Sequence, residues 1–154
     1  MTLTPQRLKR LVEHRERLER LQEQELAEAL RLHRRREEAL HESLGNREAL
    51  LDIQRPAAGP LDAADLQAEL AYLRRVDREI LARRAALQHS ANDVEAERSE
   101  LLDRRRDRKA MEALLDHRLE EERLARNRAE RALIDELAAT RWRRPETLPG
   151  GGTA

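Results

Sequence analysis

Apolar residues recur every seven positions through the second half of the chain. The members of this repeat are Leu66, Leu73, Ile80, Leu87, Val94 and Leu101. After Arg108 the phase returns at Leu115. A strict repeat of seven keeps one stripe of an α-helix facing a partner helix, as in a left-handed coiled coil. The pattern predicts one continuous helix over residues 62–142.

Proline, glycine and capping residues set the limits of the predicted helices. Thr4 followed by Pro5 is typical of a helix start. Asp62, with Asp65 three residues later, is typical of a second start, because the helix dipole favours acidic groups in the first turn. The chain between these helices contains the breakers Pro56, Gly59 and Pro60. The sequence therefore predicts a helix over 5–54, a turn over 55–61 and a disordered tail over 145–154.

The first helix contains one weak point, at Gly45 and Asn46. A helix could end there, and carrying it through glycine costs about 1 kcal/mol relative to alanine. The sequence leaves open whether the first helix is broken at Gly45.

Leucines of the first helix match those of the second if the chain folds back on itself. One antiparallel register would place Leu51 opposite Leu66, Leu44 opposite Leu73, Leu30 opposite Leu87 and Leu26 opposite Ala91. Before Leu26 the phase slips by one residue, because Leu11 and Leu18 are in step with each other only. The predicted fold is all-α: a long antiparallel two-helix coiled-coil hairpin, forming a single domain. The alternative is a pair of open-ended helices that assemble with another copy.

The predicted seam of this hairpin has ten members. They are Leu26, Leu30, Leu44, Leu51, Leu66, Leu73, Ile80, Leu87, Val94 and Leu101. The register sets Pro5 opposite Glu112, so the C-terminal helix should overhang by about 30 residues. That overhang carries Leu115, Leu119, Leu133 and Leu137 at helical spacing. An amphipathic stripe with no intramolecular cover indicates a binding partner.

Composition excludes several classes of protein. The chain has 154 residues, of which 40% are charged and 1% are aromatic, and its formal net charge is zero. This bias is typical of long helices and coiled coils, and balanced charge disfavours a nucleic-acid binder. There is no cysteine, no apolar run long enough to cross a bilayer and no secretory signal in the N-terminal stretch. We therefore expect a soluble protein of the reducing cytosol.

No catalytic, cofactor-binding or metal site is predicted. The five histidines lack the i, i+4 spacing of a helical zinc pair, and a two-helix rod has no pocket that would shift carboxylate pKa values. The most basic run, Arg104 to Lys109, is either a solvated helix face or a contact for an acidic protein surface. The only tryptophan, Trp142, lies among Arg141, Arg143 and Arg144.

The segment 109–144 resembles the C-terminal half of the flagellar export protein FliJ family. The chain length, the break near residue 58 and the hairpin layout agree with that family. The residues that carry the resemblance are Glu112, Leu115, Arg118, Glu130, Asp135, Glu136, Ala138 and Arg141. The shortage of aromatic residues is a departure from many relatives.

The resemblance implies a role in flagellar protein export. Members of this family look like the central stalk of rotary ATPases. The end with both termini would sit in the export ATPase ring, and the closed tip would suit a second contact. The implied partners are the export ATPase and its regulator, the export gate protein and export chaperones, without nucleic acid or metal. The implied location is cytoplasmic, at the cytoplasmic face of the cell membrane.

An aromatic residue among arginines is typical of the residues that dominate interface energies. The partner-binding hypothesis therefore rests on Leu133, Leu137, Arg141, Trp142 and Arg143. Alternatively, the arginines complement the C-terminal helix dipole and Trp142 packs locally. Three other functions compete: the equivalent stalk of a non-flagellar type III secretion system, a generic coiled-coil scaffold, and an RNA-binding hairpin.

Overall fold

The computed structural model describes residues 3–53 and 62–143. These residues form two α-helices, α1 (Pro5–Ile53) and α2 (Ala63–Arg143), and the described ranges contain no strand. The two long helices pack together, which confirms the all-α class. The predicted turn at 55–61 and the predicted tail at 145–154 lie outside the described residues.

Both helix starts follow from the capping residues in the sequence. The Leu8 amide donates a hydrogen bond to the Thr4 carbonyl oxygen at 3.0 Å, so Thr4 closes the first turn of α1. Directly before α2 the Asp62 carboxylate accepts a hydrogen bond from the Ala64 amide at 3.1 Å. A side-chain oxygen that accepts from the first-turn amides replaces the partners those amides lack within the helix.

Helix α1 continues through Gly45 without a break. A methyl group added at Gly45 would meet no atom within 4 Å. Glycine therefore lowers the stability of a continuous helix relative to alanine at this position, and no packing contact requires a glycine there.

The chain divides into two compact units. The hairpin unit comprises His14–Arg108, and the terminal unit comprises Met1–Glu13 with Lys109–Ala154. In the hairpin unit the helices are antiparallel, because Arg47 pairs with Asp77 near the break while Arg15 pairs with Asp107 at the opposite end. Its buried apolar residues lie on α2: Val76, Ile80, Val94 and Leu101.

The register of the hairpin unit differs from the sequence expectation by about one helical turn. The expected register set Leu30 opposite Leu87, yet His33 contacts Ser90 and Arg36 contacts the Ala86 carbonyl. The inner stripe of α1 also lies one residue before the expected leucines, because Ser43 and Leu50 are buried or half-buried while Leu44 and Leu51 are exposed. The register expected from the leucine positions alone was wrong because polar side chains occupy several inner positions of α1.

The expected phase slip before Leu26 does not occur in the hairpin unit. Glu19 and Gln22 are buried there, in step with Leu26, whereas Leu18 is only half-buried. Ion pairs and hydrogen bonds to α2 satisfy these two polar side chains. Charged and amide groups can therefore hold inner positions that a purely apolar pattern assigns to leucine.

The terminal unit buries a short apolar segment of α1. Leu8 and Val12 are buried, and Met111, Glu112, Leu115 and Arg118 on α2 are half-buried. Beyond Arg118 the burial ends, since every residue from 119 to 143 is exposed.

Candidate interaction site

Ion pairs between charged side chains join α1 to α2 in the hairpin unit. The Glu19 carboxylate accepts hydrogen bonds from Arg105 Nε at 3.1 Å and from Arg108 Nε at 2.5 Å. Arg105 also donates to Glu23 at 3.0 Å. Burial favours the neutral form of the Glu19 carboxyl, but the hydrogen bonds from Arg108 and Arg105 outweigh it and lower its pKa.

Ion pairs within the hairpin unit involve most residues of the basic run from Arg104 to Lys109. Besides the two arginines on Glu19, Arg104 pairs with Glu100 at 2.9 Å and Arg106 with Asp103 at 3.6 Å. The arginines of the run are therefore engaged within the hairpin unit, and this engagement disfavours them as a docking surface for an acidic protein.

His33 and Ser90 form a polar layer in the seam. Ser90 is 1% exposed, and its hydroxyl donates to the Leu87 carbonyl at 2.8 Å while His33 Nδ1 lies 2.9 Å from the same oxygen. His33 Nε2 lies 3.5 Å from a Glu37 oxygen. Because the one hydroxyl proton of Ser90 goes to the Leu87 carbonyl, the hydroxyl oxygen accepts a hydrogen bond from the Nδ1–H of His33. These contacts between α1 and α2 give His33 a structural role.

Carboxylate and histidine side chains are scattered over the described part of the chain. No group of three or more His, Cys, Asp or Glu side chains lies close enough there to hold a metal ion. His89 and His117 each lie beside a carboxylate one turn away, at 3.7 Å from Asp93 and 3.2 Å from Glu121. These are surface pairs on single helices, whose contribution to stability is small.

The last turns of α2, in the terminal unit, expose large apolar side chains. Trp142 is 92% exposed. The other large apolar residues of this stretch, all exposed, are Leu119, Leu124, Leu133, Ile134 and Leu137. A large apolar surface is uncommon on a single exposed helix unless something binds it.

The residues near Trp142 form one continuous surface. Ile134, Leu137, Ala138, Thr140, Arg141 and Trp142 line a single hollow. At about 100° per residue, Ile134, Ala138 and Trp142 follow one another along one side of the helix, whereas Leu133 lies on the opposite side from Trp142. The sequence prediction missed Ile134 because it followed the leucine spacing from Leu133 to Leu137.

Arg141 and Arg143 lie in the last turn of α2, where basic side chains complement the helix dipole. Both are exposed, and neither takes part in an ion pair among the described residues. The Thr140 hydroxyl donates back to the Glu136 carbonyl at 2.7 Å, and Arg141 lines the same hollow as Trp142. They are free to pair with an acidic partner.

The predicted seam residues divide into three groups. Ile80, Val94 and Leu101 are buried, and Leu26, Leu30, Leu73 and Leu87 are half-buried. The exposed members are Leu44, Leu51 and Leu66. The exposed leucines, in the hairpin unit, all lie in the last turns of α1 or the first turn of α2.

The described helices contain no segment long and apolar enough to cross a membrane. No curated protein and no solved structure matches the chain. The family model described as "Flagellar FliJ protein" matches residues 5–147. The matched range covers both helices completely, and it agrees with the resemblance carried by residues 109–144. This chain therefore belongs to the flagellar FliJ protein family.

Proposed function

We propose that this protein is the stalk of the flagellar export apparatus and that it links the export ATPase ring to the export gate. Its family makes it a component of that apparatus. In this proposal the C-terminal part of α2 extends beyond α1 and binds the ATPase. The protein works without catalysis, at the cytoplasmic face of the membrane, and the regulator of the ATPase and export chaperones are further partners.

The observation that carries this proposal is the run of exposed residues 119–143, which retains large apolar side chains throughout. An exposed helix is narrow enough to enter the centre of a ring, and a ring would contact it from several sides. Leu133 and Trp142, on opposite sides of the helix, could then both be covered. Arg141 and Arg143 would supply charge-assisted hydrogen bonds to acidic groups of the ring.

A second part of the proposal assigns the export gate to the surface near the break. Leu44, Leu51 and Leu66 are exposed there, although their sequence positions suggest a seam. These leucines are 37–42% exposed, so part of each side chain remains available for an apolar contact with a partner.

The test compares two variants in binding to the cognate export ATPase. In the end variant Leu133, Ile134, Leu137 and Trp142 are replaced by alanine. In the break variant Leu44, Leu51 and Leu66 are replaced by alanine. Because a few central apolar anchors carry most of an interface, we expect the end variant to bind at least ten times more weakly by calorimetry. The break variant should bind the ATPase like the parent.

Circular dichroism of both variants checks that the helices persist. If the break variant loses ATPase binding while the end variant retains it, the proposed orientation is reversed. If neither variant loses binding, the exposed apolar residues are not the ATPase contact.

A further inference from the structure

The hairpin unit carries an acidic helix face that its own fold leaves uncovered. This acidic face consists of Leu21, Glu25, Glu28 and Leu32, which follow one another at one-turn spacing along one side of α1. All four side chains are exposed, and Leu21 is 56% exposed. Neither glutamate forms an ion pair among the described residues.

The surroundings of this face add negative charge. Glu25, Glu28 and Leu32 line a hollow together with Asp93 and Glu97 of α2. Arg35 lies at the edge of the same hollow, one turn beyond Leu32. Four carboxylates and one guanidinium give the hollow a net negative charge, and Leu32 supplies apolar surface within it.

A basic face with matching spacing lies on α2 of the same unit. It consists of Leu70, Arg74, Arg78 and Leu81, all exposed, and Leu81 is 64% exposed. Neither arginine forms an ion pair among the described residues, while the neighbouring Asp77 is engaged by Arg47 at 2.6 Å. The leucines of each face are separated by the same number of residues, and each face has two charges of one sign between them.

We propose that the acidic face of one copy of this chain binds the basic face of a second copy. In that contact two arginines meet two glutamates while two leucines on each side bury apolar surface. Charge complementarity sets the partner, because an acidic face would repel another acidic face. Two faces that differ from each other make a head-to-tail contact, which leaves one free face at each end and can continue to further copies.

The association should be weak and sensitive to salt. Four side chains on each side cover less area than the roughly 1,200–2,000 Å² of stable complexes. Exposed charges interact over about 10 Å at 0.1 M salt but over only about 3 Å at 1 M. This inference does not depend on the export function, since it concerns the isolated protein.

Sedimentation equilibrium of the purified full chain tests the proposal. At low salt and high protein concentration, the average mass should rise above the 18.0 kDa of one chain. At 1 M salt it should return to that value. A parent protein that stays at the single-chain mass at every concentration in low salt would overturn the proposal and would assign the two faces to other partners.

Charge reversal identifies the contact. One variant carries Glu25→Arg and Glu28→Arg, and the other carries Arg74→Glu and Arg78→Glu. Each alone should remain a single chain at low salt, because its two faces then carry the same sign. An equimolar mixture of the two variants should associate again. Failure of the mixture to associate, or undiminished association of either variant alone, contradicts the pairing of these faces. Circular dichroism confirms that the helices are retained.

Discussion

Glu19 on α1 accepts a hydrogen bond from Arg108 Nε on α2 at 2.5 Å, and the carboxylate is buried while it does so. A buried carboxylate that keeps its charge needs such partners, because desolvation is costly. The contact joins the two helices at the end of the hairpin unit remote from the break. It is accordingly the polar interaction whose removal should affect the fold most.

Replacing Glu19 by alanine should destabilise the protein. The change removes hydrogen bonds from Arg105 and Arg108, and bonds to charged groups are worth about 1.5–3 kcal/mol each in favourable cases. Because both arginines remain partly solvated, we expect a total loss of roughly 1–3 kcal/mol in urea unfolding followed by circular dichroism. Glu38→Ala is the matched control, since Glu38 is exposed on the same helix. Equal losses for the two variants would show that the ion pairs of Glu19 make no specific contribution to stability.

The stability that Glu19 provides should depend on pH. The pKa of this carboxyl is lower in the folded protein than its ordinary value of 4.5, so its contribution is complete above that value. As the pH falls from about 4.5 through the lower folded pKa, the contribution is lost. Unfolding midpoints of the parent should therefore fall more steeply in this range than those of Glu19→Gln, which cannot ionise. Parallel curves for the two proteins would contradict the assignment.

Replacing Gly45 by alanine should stabilise the protein by about 1 kcal/mol. Helix α1 runs through this position, the added methyl group meets no atom within 4 Å, and alanine loses less backbone entropy on folding. Thermal unfolding provides the measurement. The reverse change at the exposed Ala49 of the same helix should destabilise by a similar amount. Unchanged or lower stability of Gly45→Ala would indicate that the helix is interrupted there.

Two neighbouring residues on α2 should differ strongly in their response to truncation. Ile80 is buried, so Ile80→Ala should cost about 2–5 kcal/mol of unfolding free energy. Leu81 is well exposed, so Leu81→Ala should change the stability by less than about 0.5 kcal/mol. Denaturant unfolding of the two variants at low protein concentration checks both. Comparable losses would show that α2 presents a different face to α1.

The starts of the two helices depend on local chemistry that is visible in the sequence. Thr4 and Asp62 cap the helices, and the inner stripe of α2 is marked by Ile80, Val94 and Leu101. The register depended on the partner helix, whose inner positions include buried polar groups. Ser43 and Glu19 carry no hydrophobic signal, so their burial could be recognised only once their partners were in place.

The candidate site could be predicted only in part, for a related reason. Trp142 was identified as the only tryptophan of the chain, and it is exposed. Ile134 was missed, although its distance of two helical turns from Trp142 was available in the sequence. Which side of an exposed helix faces a partner depends on that partner, so no pattern within the chain determines it.

The central proposal, that the C-terminal end of α2 binds the export ATPase, can be measured at Trp142 itself. The protein has one tryptophan, so labelling it with 5-fluorotryptophan should give a single fluorine resonance. In the free protein this resonance should differ between H₂O and D₂O, because the side chain is 92% exposed. On addition of the unlabelled ATPase, we expect the resonance to shift and the solvent difference to disappear. A resonance that keeps its position and its solvent difference while calorimetry shows saturated binding would contradict the proposal.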